Sequence, residues 1–154
     1  MFYIYIMNTL DKLIDKLEKN FIKETDVINF IDIFREYNGD DWVSFVQFND
    51  KYNKVLIKRT EYFELYLIFW NENQKSDIHD HPHQGCLMKI LSGELQEREY
   101  INLNGEIKQS HSNILKKDNI VYKSGNEILH QIFSPQKSVS IHLYSPPFYE
   151  YQKY

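Results

Sequence analysis

Apolar residues recur along this chain at two different periods, and the change from one to the other falls near residue 50. In the first part Leu10, Leu13, Ile14 and Leu17 return every three or four positions, the spacing that lines one face of an α-helix. They predict a helix over 8–20 with Asn8 or Thr9 as its N-cap. Val27, Phe30, Ile31 and Phe34 repeat the pattern and predict a second helix over 26–37, stopped by Asn38-Gly39. A shorter third helix is expected over 42–48. Beyond Tyr52 the apolar residues alternate or run together, as in strands, with 63–70 the longest candidate and others near 86–91, 94–101, 106–109, 119–122, 128–133 and 138–144. Ser92-Gly93 and Asn104-Gly105 fall between strand candidates and read as hairpin turns. Many short strands divided by turns imply a closed barrel or jelly roll, an architecture that protects its own edges. The chain reads as a single mainly β domain over 1–154, helical over about 8–50 and barrel over about 52–148, with the helices packed outside.

Composition narrows the function without naming it. A chain of 154 residues has room for one core. A net charge of −4, with Lys and Arg scattered among acids, lacks the basic footprint that nucleic acid requires. No apolar run approaches the roughly 20 residues of a membrane span. Residues 1–7 are apolar but short and lack a cationic leader, which makes a poor signal peptide. The single cysteine excludes an internal disulfide and suits a reducing compartment. The expectation is a monomeric cytoplasmic protein that engages neither membrane nor nucleic acid.

The chemistry concentrates in His79-Asp80-His81. In extended backbone, residues two apart share a face, so the two rings aim at one point while Asp80 faces away. His130, from a distant strand, would complete a facial triad with coordination positions left open. Iron oxygenases more often complete such a triad with a carboxylate, and none is evident here. Plainer readings stand beside this one. An isolated His-x-His often decorates a surface, Cys86 could be a small buried residue, and Lys54 a solvated strand-edge charge. Pro82 breaks the alternation, so His83 reads as a rim residue, and His111 as solvent-exposed. Ser145-Pro146-Pro147 ends the last strand.

His79-x-His81, four residues, Cys86, six residues and Gly93 resemble the first metal-binding motif of the cupin superfamily, with cysteine where glutamate is usual. Together with Ser140-x-His142-x-Tyr144-Ser145-Pro146-Pro147, the chain from 52 to 148 is similar to the cysteine dioxygenase family of thiol dioxygenases. Only Gly125 and His130 remain of the second cupin motif. The resemblance implies a cupin barrel (a double-stranded β-helix) and one Fe(II) per chain, held by His79, His81 and His130. It implies a small thiol and dioxygen as reactants and a sulfinic acid as product. Tyr144 would place its hydroxyl beside the reacting groups, oriented by His142 and Ser140, and Cys86 could form a thioether bond to its ring. Tyr52 and Lys54 would lie near the substrate carboxylate.

One departure stands out. Lys54 occupies a position where animal members carry arginine, and a lysine is a compact point charge rather than a bidentate fork. Arg59, five residues on, is the alternative clamp. L-Cysteine is the expected substrate, with 3-mercaptopropionate and cysteamine as alternatives. A metal-binding cupin acting as a thiol or oxygen sensor, and a cupin enzyme of another kind, are the rival functions.

Overall fold

The computed structural model describes residues 8–154, so the 1–7 stretch and the signal-peptide expectation lie outside the described residues. Thr9 accepts a hydrogen bond from the Lys12 amide at 3.2 Å and starts α1 (Leu10–Phe21), whose buried face is Leu10, Leu13, Leu17 and Phe21. The second predicted helix opens differently. Asp26 caps the Ile28 amide, Val27–Phe30 wind as a 3₁₀ turn, and only Ile31–Glu36 form an α-helix, α2. In a 3₁₀ turn residues three apart eclipse, which puts Val27 and Phe30 on one buried face. The third helix shrinks to a 3₁₀ segment, Asp41–Phe45, which buries no residue fully and rests on the core only through the half-buried Trp42, too little packing to extend it.

Eight strands follow: β1 (Asn53–Arg59), β2 (Glu64–Trp70), β3 (Cys86–Ser92), β4 (Glu94–Leu103), β5 (Glu106–Lys116), β6 (Ile120–Lys123), β7 (Ile128–Phe133) and β8 (Ser138–Tyr144). They form a five-stranded antiparallel sheet in the order β1-β2-β8-β3-β6 and a three-stranded one in the order β5-β4-β7. Asn104-Gly105 closes the expected hairpin, with positive φ at both residues and Leu103 paired to Glu106. Ser92-Gly93 does not. There the chain leaves one sheet for the other, because β3 pairs with β6 and β8 while β4 pairs with β5 and β7. Glycine is required at that corner: φ is +80°, and a Cβ would sit 2.5 Å from the Lys137 carbonyl oxygen. β5 runs well past 106–109 because its outer half is polar and solvent-facing, leaving no apolar alternation to read.

The larger sheet is covered on both faces. Leu65, Leu67, Phe69, Leu87, Val139, Ile141 and Leu143 point outward into a core shared with α1 and α2. Ile68, Trp70, Met88 and Ile90 point inward and meet Leu95, Leu115 and Ile132 of the smaller sheet. Each fully buried side chain of this size contributes about 1.5–3 kcal/mol. This double burial explains why β2 reads as a nearly continuous apolar run. Lys89 also points outward, and its ammonium caps the end of α2 by donating to the Phe34, Arg35 and Tyr37 carbonyls at 3.1, 3.1 and 2.5 Å. Between the two sheets, the inward faces of β2 and β8 form one wall of the candidate site.

Candidate metal centre

His79 and His130 exchange backbone hydrogen bonds at 3.1 and 3.3 Å, and the His81 amide donates to the Gly125 carbonyl at 3.1 Å. These contacts aim all three rings at one point. The Nε2 atoms of His81 and His130 lie 3.0 Å apart, those of His130 and His79 lie 3.1 Å apart, and the cluster could hold a metal ion. Burial above all, with mutual repulsion added, lowers the His81 and His130 rings well below the usual imidazole value, and His79 is lowered by burial too. Neutral rings are the coordinating form. The outer nitrogens set the tautomers. His79 Nδ1 donates to the Asp77 carbonyl at 2.8 Å, and His130 Nδ1 donates to Glu97 at 2.9 Å, so both Nε2 atoms carry bare lone pairs. Two lone pairs at 3.1 Å repel unless a cation lies between them. The donor set therefore fits a metal.

Beside the cluster runs a polar chain along β8. The indole of Trp70 donates to Ser140 Oγ at 2.9 Å, Ser140 meets His142 Nε2 at 2.7 Å, and His142 Nδ1 meets the Tyr144 hydroxyl at 3.2 Å. The Ser140 hydroxyl hydrogen finds its acceptor in His142 Nε2, which puts the His142 proton on Nδ1, facing the phenol oxygen. Burial also holds His142 well below the usual range, so this ring is neutral. Tyr144 keeps its own proton: burial first, then Tyr151 and Cys86, push its phenol well above the usual value. Cys86 is the cross-strand partner of Tyr144, and burial pushes its thiol up to about 12.

Tyr52, Lys54, His79, His142 and Tyr144 line a cavity of about 70 Å³ next to the three histidines. That is space for on the order of five waters, or a molecule of a few heavy atoms. Lys54 Nζ sits 4.3, 4.7 and 4.8 Å from the ring centres of Tyr66, Tyr144 and Tyr151. Tyr52 stacks on Trp70 with centroids 4.7 Å apart. Arg59 is not brought to the site. Its guanidinium pairs with Glu64 at 2.5 Å and covers the Phe148 ring, so it is not the alternative clamp. His83 and His111 are both exposed and outside the cluster.

A family model for cysteine dioxygenase type I matches residues 5–154. The chain belongs to the cysteine dioxygenase type I family. It is 30% identical over 153 residues to cysteine dioxygenase type 1 of Danio rerio, covering 91% of this chain and 76% of that protein. It is 29% identical over 126 residues to the Homo sapiens protein of the same name, covering 75% of this chain and 63% of that one. A cupin superfamily protein from Desulfitobacterium hafniense superposes with a TM-score of 0.55 at 10% identity, over 70% of this chain and 89% of that one, which speaks for the fold alone. The cupin fold expected from the motif is the fold observed.

Two site features of this cysteine dioxygenase family member were not foreseen. Glu97, 1% exposed, orients His130 and is itself held by Lys123 at 3.5 Å, which also reaches Glu99 at 2.8 Å. Glu97 follows Leu95 on the inward side of β4, but a lone acid in a mixed strand carries no signal of its own. Tyr151, past the last strand, covers His79 and Tyr144 at centroid distances of 5.3 and 5.7 Å and accepts a hydrogen bond from Lys54 at 3.1 Å. Asp80 faces away from the cluster, as expected, but it is buried rather than solvated.

Proposed function

We propose that this chain is a thiol dioxygenase that holds one Fe(II) on His79, His81 and His130 and converts L-cysteine and dioxygen to cysteine sulfinic acid. The convergence of three neutral Nε2 atoms beside a small cavity with a lysine on its wall carries this reading. Three neutral ligands leave the charge of a divalent ion uncompensated, which favours a substrate that brings an anion, and a thiolate does. Bound iron would supply the Lewis acidity that deprotonates the thiol and a path for electrons to dioxygen, while the four electrons that reduce dioxygen come from the sulfur itself. Both oxygen atoms go to sulfur, so RSH and O₂ become RSO₂H with no external reductant.

The chain's own groups account for the rest. Lys54 faces the cavity as the cation for a substrate carboxylate, and Tyr52 lines the same wall. His142, fixed by Ser140 and Trp70, donates to the Tyr144 oxygen and turns the phenol hydrogen towards the cavity. The cross-strand placement of Cys86 and Tyr144 supports a thioether bond between sulfur and ring. Forming it removes one hydrogen from each partner, a two-electron oxidation for which dioxygen serves as oxidant. The small cavity favours L-cysteine, 3-mercaptopropionate or cysteamine over larger thiols.

Iron content and the spectrum of the iron–nitric oxide adduct under nitrogen test this directly. One iron per chain, with a spectrum that changes when L-cysteine is added, is the expected result. An iron spectrum indifferent to every thiol would overturn the proposal.

A further inference from the structure

The residues after β8 fold back over the site and bind the segment that carries His79 and His81. Asp80 is the anchor. Its carboxylate accepts from Tyr149 Oη at 2.8 Å, from the Gln152 amide at 2.9 Å and from Tyr154 Oη at 3.3 Å. Backbone bonds extend the pairing, Asp80 N to Gln152 O at 3.2 Å and Tyr154 N to Ile78 O at 2.9 Å. Lys153 adds an ion pair to Asp77 at 3.3 Å. Anchored on both sides, at Tyr149 and at Gln152, the chain has little freedom between them, and Tyr151 is held over the cavity.

The Tyr151 hydroxyl accepts one of the three N–H groups of Lys54, which leaves its own hydrogen free to donate. Among the described residues no carboxylate lies within ion-pair distance of Lys54; its neighbours are three tyrosine rings and this hydroxyl. A half-buried ammonium without an anion, next to a free hydroxyl hydrogen, is a place for an anion to bind.

We propose that Tyr151 is a specificity-determining residue: with Lys54 it forms a two-donor subsite for the substrate carboxylate, and its ring is the roof that limits how far a thiol can extend beyond that group. This rests on the thiol dioxygenase reading for the identity of the ligand, but the subsite can be measured without turnover. Asp80 holds the roof in place before substrate arrives, so its ordering is not charged against binding.

The test compares the iron-loaded wild-type protein with Tyr151→Phe, which keeps the ring and loses only the hydroxyl. Calorimetry under nitrogen, with L-cysteine and with cysteamine, isolates the carboxylate. The wild type should prefer L-cysteine, and Tyr151→Phe should weaken L-cysteine by about tenfold while leaving cysteamine unchanged, as expected for one hydrogen bond to a charged group. In Tyr151→Ala the roof is gone, and the dipeptide cysteinylglycine should bind where it does not bind the wild type. Equal weakening of both thiols, or none, or a wild type without preference, would overturn the subsite. If binding follows the prediction but no variant and no wild type makes sulfinate, the subsite stands and the oxidation falls.

Discussion

Cys86 and Tyr144 face each other across the β3–β8 ladder, paired in register although 58 positions separate them in the chain. Both are nearly inaccessible to solvent, at 3% and 6% exposure. A thiol pushed up to about 12 is neutral at physiological pH, so it is not itself a nucleophile there. The proposed thioether bond to the Tyr144 ring is an oxidation and does not require the thiolate. Protein turned over with iron, L-cysteine and oxygen is expected to lose the mass of two hydrogens, and Cys86→Ser and Tyr144→Phe are expected to lose none. An unchanged wild-type mass after extensive turnover would remove the link.

His81 supplies one of three neutral nitrogens, and two imidazoles hold Fe(II) poorly. His81→Ala is expected to lose iron and activity together, while keeping the circular dichroism of the barrel. Full iron occupancy in that variant would refute the ligand assignment.

Glu97 acts one step further out, through His130 Nδ1. Replacing it by Gln keeps the shape but weakens the acceptor that fixes the ring's tautomer and orientation. Metal affinity should fall about 10- to 100-fold, the usual cost of losing such a partner. Competition with a chelator of known affinity reads the change directly, and an unaltered affinity would make Glu97 only a core residue.

Lys54 is expected to bind the substrate's carboxylate. Lys54→Ala should raise KM for L-cysteine and 3-mercaptopropionate by about tenfold or more, and leave cysteamine, which has no carboxylate, nearly unaffected. Parallel initial rates decide this. An equal rise for all three thiols would assign Lys54 to the architecture of the cavity instead.

The same wall carries an acid-sensitive contact. Burial pushes the Glu64 carboxyl up, but the Arg59 guanidinium, the Phe148 amide and the Tyr66 hydroxyl together outweigh it and hold the group below its usual value of 4.5. A carboxyl depressed in the fold binds fewer protons than the unfolded chain does. Its stabilisation is therefore present above pH 4.5 and drains away as pH falls through the lower folded value. Urea midpoints should fall more steeply with acid for the wild type than for Glu64→Gln, and parallel curves would contradict the coupling.

Much of this site was legible in the sequence, and the missing parts share a physical cause. His79, His81 and Cys86 sit close together at fixed spacings, and Ser140, His142 and Tyr144 alternate along one strand, so local geometry already places each group on a face. The helix stripe of Leu10, Leu13 and Leu17 and the turn at Asn104-Gly105 are local in the same sense. Glu97 and Tyr151 are not. What gives each a role is a partner more than thirty positions away, His130 for one and Lys54 for the other, and no periodicity encodes such a pairing. The Ser92-Gly93 corner was misread for a related reason, since a turn dipeptide does not say whether the next strand returns to the same sheet or crosses to another. Arg59 looked available because spacing alone does not show that the β1–β2 hairpin pairs it directly with Glu64, which takes it out of the site.

Thiol dioxygenation by this chain is decided by the ratio of sulfinate formed to oxygen consumed by the iron-loaded protein with L-cysteine. One cysteine sulfinic acid per O₂, with both oxygen atoms of labelled dioxygen found on sulfur, is the predicted result. Oxygen consumption that yields cystine or hydrogen peroxide without sulfinate, or no consumption by protein with its full complement of iron, would contradict it.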